Sequence, residues 1–210
     1  MLKEVCVENF TKVREVIAKG AGRIELCDNL TAGGTTVSHG VAEVTINYSH
    51  SKNVKVMAMI RPRGGNFAYC KEEIEIIKRD LVHVKELGTD GVVLGCLDAA
   101  GWIDEDAMIA LLDLAEGLEV TFHMAFDQIR PENQFKAIDW LAEHGVDRIL
   151  THGGHLSTKI ENNLMKLKGF IEYANDRIVI LPGGGITTKN LTSIASALNI
   201  TEVHGTRIVD

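Results

Sequence analysis

The stretch R-I-E-L-C-D-N-L-T-A-G-G-T, Arg23 to Thr35, combines a short β-branched and apolar run with a glycine-containing loop that opens onto a helical pattern. Ile24 and Leu26 suit a face covered by helices, so alternation sends Arg23, Glu25 and Cys27 to the opposite face. In a ring of parallel strands that face is the inner wall, and its C-terminal end is where such folds keep their chemistry. The rest of the chain supplies the ring.

Strand-like runs fall at 2 to 7, 22 to 27, 54 to 60, 91 to 95, 119 to 126, 147 to 152, 177 to 182 and 201 to 205. Helical patterns fill the gaps at 9 to 20, 38 to 50, 70 to 87, 104 to 117, 131 to 144, 157 to 174 and 187 to 198. Strict alternation of this kind makes βα units and a parallel sheet. Asn9, Ser38 and Asp104 stand where N-caps belong, Pro131 stands at a first turn, and Gly20, Gly88 and Gly145 follow last turns. The expected fold is therefore α/β, a (β/α)8 TIM-type barrel of eight parallel strands. The final helix is missing or lies outside the chain. An open doubly wound sheet has the same alternation, but polar residues recur on one face of nearly every strand, which favours closure because helices cover both faces of an open sheet.

The 210 residues, 45% of them hydrophobic, suit a single barrel domain spanning 1–210. A formal net charge of -7 without a Lys/Arg run argues against nucleic acid and anionic membranes as partners. No apolar run reaches signal-peptide or membrane-span length, so a cytoplasmic location is expected. Cys6, Cys27, Cys70 and Cys96 are widely spaced with no C-x-x-C, which reads as free thiols, Cys70 and Cys96 as small packed hydrophobes. A missing eighth helix would leave Val5 and Val203 uncovered on the outer face, and a second copy in a homo-oligomer, a dimer, would be a suitable cover.

The same parity places Glu4 and Cys6, then Met57, Met59 and Arg61, then Thr121, His123 and Asp127, and finally Glu202 and His204 on the inner wall. Cys6 and Cys27 end adjacent strands, whose backbones lie about 5 Å apart. Met57 and Met59 read as barrel core, and Glu4 and Arg23 as paired charges at the closed end. Two loops suit an anion. R-P-R-G-G-N-F joins the guanidinium groups of Arg61 and Arg63 to glycines, and Gly183-Gly184-Gly185 with Gly205-Thr206 follow strands seven and eight, where many barrels bind phosphate.

In order along the chain, R-I-E-L-C, G-G-T-T, M-I-R-P-R-G-G-N-F-A-Y, V-T-F-H-M-A-F-D, R-I-L-T, P-G-G-G-I-T and E-V-H-G resemble the CutC family of copper homeostasis proteins. The resemblance implies a cytoplasmic, often oligomeric barrel that handles copper, with Cys6 and Cys27 as Cu(I) ligands. Three positions depart from the family pattern: Met124 replaces an arginine, His152 a serine and Val37 a proline. Parity turns Met124 outward, while His152 adds an imidazole near the mouth. Two thiolates suit Cu(I), which accepts few soft ligands, better than Zn²⁺, which usually takes four. The alternative expectation is an enzyme acting on a small anionic or phosphorylated substrate. Glu25, His123 and Asp127 would then supply acid and base, His204 would orient or shuttle a proton, and Arg61 and Arg63 would hold the anion.

Overall fold

The computed structural model describes residues 1–209. The strands are β1 (Leu2–Glu8), β2 (Arg23–Cys27), β3 (Lys55–Met59), β4 (Gly91–Leu94), β5 (Glu119–Phe122), β6 (Arg148–Thr151), β7 (Val179–Pro182) and β8 (Glu202–Gly205). Between them run α1 (Val13–Ala18), α2 (His39–His50), α3 (Lys71–Glu86), α4 (Glu105–Leu114), α5 (Gln134–Glu143), α6 (Leu164–Ala174) and α7 (Leu191–Leu198). All ladders are parallel, in the order β7-β6-β5-β4-β3-β2-β1-β8. The barrel is nearly closed, with β7 and β8 side by side but joined by no ladder among the described residues. No helix among them is long and apolar enough to cross a membrane.

Period-two alternation accounts for the layering. Outward Val5, Val7, Ile24, Leu26 and Val56 pack with Val13 of α1, Ile46 of α2 and Ile194 of α7. Around the other half, Ala58, Val92, Leu94 and Phe122 meet Leu81 of α3, Leu111 of α4 and Ile138 of α5. Inward Cys6, Cys27, Met57, Met59 and Val93 form a separate small cluster. Met57 is fully buried beneath Gly91, where any side chain would collide with Met57 and the Glu119 carbonyl.

Charges close the floor. Arg23 pairs with Glu4 and, at 2.7 Å, with Glu202, while Arg148 and Lys55 share Glu119. Asp104 caps α4 by accepting from the Ala107 amide at 3.1 Å, and Gly20, Gly88 and Gly145 take left-handed φ values of 93°, 84° and 76°. Asn9 does not cap α1, which begins later; its side-chain amide instead donates to Asp28 at 2.8 Å.

The flank beyond β8 corrects one expectation. No eighth helix occurs among the described residues, yet Val5 and Val203 are fully buried within the chain. The segment after β8 folds back, with Arg207 bridging to Thr187, and fully buried Ile208 joins the same cluster as both valines. Neither valine needs a partner subunit to leave water.

Candidate functional site

The inner cluster floors a cavity of about 190 Å³ at the C-terminal end of the barrel, lined among others by Cys6, Glu25, Cys27, Met59, Phe67, His123, Met124 and His204. In the β1–β2 ladder Cys6 pairs with Glu25 and Glu8 with Cys27. The two cysteines are therefore offset by two residues and share the inward face. Their sulfurs lie 3.8 Å apart, with Cys6 donating, and both residues are buried.

Glu25 is the hub beside them. Its Oε2 is 3.6 Å from Cys27 Sγ and 3.6 Å from His204 Nε2. His204 Nδ1 contacts Glu4 Oε1 at 2.8 Å, which ties the site to the charged floor. Burial alone would raise the Glu4 carboxyl, but the His204 hydrogen bond and the Arg23 and His204 charges bring it down to about 2. Burial pushes the Glu25 carboxyl above its ordinary value despite the His204 charge. His204 is driven the other way from its burial: Glu25, Cys6 and Glu4 raise it well above the usual imidazole range. Cys6 is raised by its hydrogen bond to Cys27, by burial and by Glu25. For Cys27 the Cys6 contact is a lowering influence, outweighed by burial and the Glu25 charge, so that it reaches about 11.

His123 approaches from the opposite wall. It immediately follows β5, and its ring fills space that Gly95 leaves open: a Cβ there would lie 2.8 Å from the imidazole. Phe67 covers it at 4.6 Å between ring centroids. Burial and the Arg61 charge lower His123 to about 3, so the ring is neutral. Its Nδ1 accepts from the Ala125 amide at 3.3 Å, which puts the remaining proton on Nε2.

Several other expected positions lie elsewhere. The strand stops at Phe122, and a 3-10 turn over Met124–Gln128 breaks the alternation on which parity relied. Met124 consequently turns into the mouth rather than outward. Asp127 turns away from it, accepting from Thr151 Oγ1 at 2.6 Å and from the amides of His152 and Gly153 at 2.8 and 3.1 Å. That is a fastening of the β6 loop. His152 also serves a loop, its Nδ1 lying 3.2 and 2.9 Å from the carbonyl oxygens of Gly183 and Gly184.

The arginine loop is folded on itself and against the loop after β2. Arg61 donates to the carbonyls of Ala32, Gly34 and Gly65, and Arg63 to those of Gly64, Asn66 and Ala68 and to both oxygens of Glu73. Neither guanidinium lines the mouth cavity, nor do Gly183, Gly184, Gly185 or Gly205. Of the two loops expected to suit an anion, the arginine loop has its guanidinium groups largely engaged by backbone carbonyls and Glu73. Cys96 is buried as expected, whereas Cys70 is exposed at the N-cap of α3.

The donor set has a chemical bias. Cys6, Glu25 and Cys27 each offer a ligand atom within 4.8 Å of the others, as do Glu4, Glu25 and His204. The first group contains two soft sulfurs, and Met59 adds a thioether to the same cavity wall. In the second, Glu4 and His204 are committed to ion pairing at the floor.

A protein-family model described as the CutC family matches residues 1–209. The chain is similar to the CutC protein of Enterococcus faecalis, with 58% identity over 209 residues that cover 100% of both chains. It is also similar to the copper homeostasis protein cutC homolog of Homo sapiens, with 42% identity over 203 residues that cover 97% of this chain and 72% of the relative. The crystal structure of CutC from Streptococcus agalactiae has 43% sequence identity and a TM-score of 0.97, covering 100% of both chains.

Proposed function

The chain belongs to the CutC family, and from that premise we propose that it takes part in copper homeostasis by holding Cu(I) between Cys6 and Cys27. The observation that supports this reading most is the pair of buried sulfurs 3.8 Å apart at the barrel mouth. Cu(I) is soft and accepts few ligands, and thiolates displace harder donors from it. Both thiols carry protons that the ion must displace on binding. The Glu25 carboxylate, 3.6 Å from Cys27 Sγ, gives a released proton a neighbouring acceptor. Copper is cargo in this reading, and no reaction is assigned to it.

An enzyme acting on an anionic or phosphorylated substrate is less well supported by the geometry. Arg61 and Arg63 are engaged by carbonyls, and the Glu4 carboxylate is tied to Arg23 and His204 beneath the mouth. The copper reading is tested by anaerobic titration of the metal-free protein with Cu(I) against a competing chelator. One ion retained per chain is the expected outcome; a protein that leaves all copper with a weak chelator refutes the assignment.

A further inference from the structure

Two polar atoms at the mouth have no use in copper binding. Glu25 Oε1 and His123 Nε2 are buried, and neither has a hydrogen-bond partner among the described residues. The two residues are 2% and 3% exposed, and both line the same cavity. A buried polar group left unpaired costs about 1–3 kcal/mol, so two such atoms facing one space mark a place where a ligand gains hydrogen bonds.

Their chemistry restricts that ligand. Because His123 Nδ1 accepts from the Ala125 amide, Nε2 is a neutral N–H donor and calls for an oxygen acceptor such as a carbonyl. Glu25 Oε1 is satisfied by a hydroxyl, which can donate to it or accept from it and so suits either state of the carboxyl. The remaining wall is mostly apolar, supplied by Leu30, Met59, Phe67, Met124 and Leu150. An anion would face Glu25, and the cation on the cavity wall, His204, is already paired with Glu4 and Glu25. The cavity of about 190 Å³ holds roughly six waters' share of liquid volume, enough for a compound of about three or four carbons.

We propose that the barrel mouth is a binding site for a small uncharged hydroxycarbonyl compound, with its carbonyl oxygen on His123 Nε2 and a hydroxyl on Glu25 Oε1. The site is separate in its contacts from the Cu(I) reading, which uses the sulfurs of Cys6 and Cys27. It gives a function to the position of His123 and to Gly95, whose missing side chain lets the ring enter.

The test follows the imidazole nitrogens of the metal-free full chain by NMR while three probes are added. Dihydroxyacetone carries both groups, 2-butanone lacks the hydroxyl, and dihydroxyacetone phosphate adds charge. Dihydroxyacetone is expected to shift the His123 Nε2 resonance saturably, with 2-butanone about tenfold weaker for the lost hydrogen bond and the phosphate weaker than its parent. His123→Phe, which keeps the ring and removes the donor, is expected to weaken dihydroxyacetone binding about tenfold by the probe's own line broadening. The proposal is overturned if dihydroxyacetone gives no saturable shift, if the phosphate binds tighter, or if the folded His123→Phe protein binds as well as the unaltered one. The three-probe order on the unaltered protein decides the matter even if the variant fails to fold.

Discussion

Cys27→Ser is expected to weaken Cu(I) binding by more than about 100-fold, since even residues that only support a metal ligand contribute roughly 10–100-fold. Serine nearly matches the shape of cysteine, so the packing against Met59 and Gly34 survives while a soft donor becomes a hard one. Anaerobic competition against a chelator measures the change, with Cys6→Ser expected to act in the same direction. Equal affinity in the unaltered and Cys27→Ser proteins would remove this pair from the copper site. Cys96→Ser supplies the comparison, because Cys96 belongs to the outer helix-covered cluster and not to the mouth.

Acid should destabilise the protein through His123. The folded chain refuses a proton on this ring until about pH 3, whereas the unfolded chain accepts one near the ordinary imidazole value of 6.5. Between those values the unfolded state binds more protons, so stability rises with pH there; the contribution is complete above 6.5 and is lost as pH falls toward 3. From about pH 7 to about pH 4.5 the loss from this group is on the order of 3 kcal/mol. Carboxylates also titrate in that range, and His123→Phe isolates the imidazole share while keeping an aromatic ring beside Phe67. Denaturant unfolding at the two pH values should show a smaller acid loss in His123→Phe by about that amount. The same acid loss in both proteins would mean that the ring is not held neutral by burial.

The inner wall was readable from the sequence wherever a strand persisted. One residue fixes the parity of a strand, and Cys6, Glu25, Cys27, Met59 and His204 all face the mouth on that basis. The reading failed where the strand ended early. Nothing in T-F-H-M-A-F-D marks the end of β5 at Phe122, and the 3-10 turn that follows sends Met124 in and Asp127 out.

The arginines show a different limit. A sequence displays cations, but the carbonyls that engage Arg61 come from residues 32, 34 and 65, brought together only when two loops fold against each other. Cover of Val5 and Val203 by Ile208 was hidden for a related reason: a short tail without periodicity gives no sign that it folds back. The neutral state of His123 likewise depends on burial by Gly95 and Phe67, both distant in sequence. A glycine after β4 and an aromatic after R-P-R-G-G were the available traces, and neither points to a histidine by itself.

Copper K-edge X-ray absorption of the full chain loaded anaerobically with one equivalent of Cu(I) tests the central claim most directly. The expected spectrum has sulfur as the nearest scatterer in the unaltered protein and loses sulfur in Cys27→Ser. A first shell of nitrogen and oxygen alone in the unaltered protein would contradict the assignment of Cys6 and Cys27.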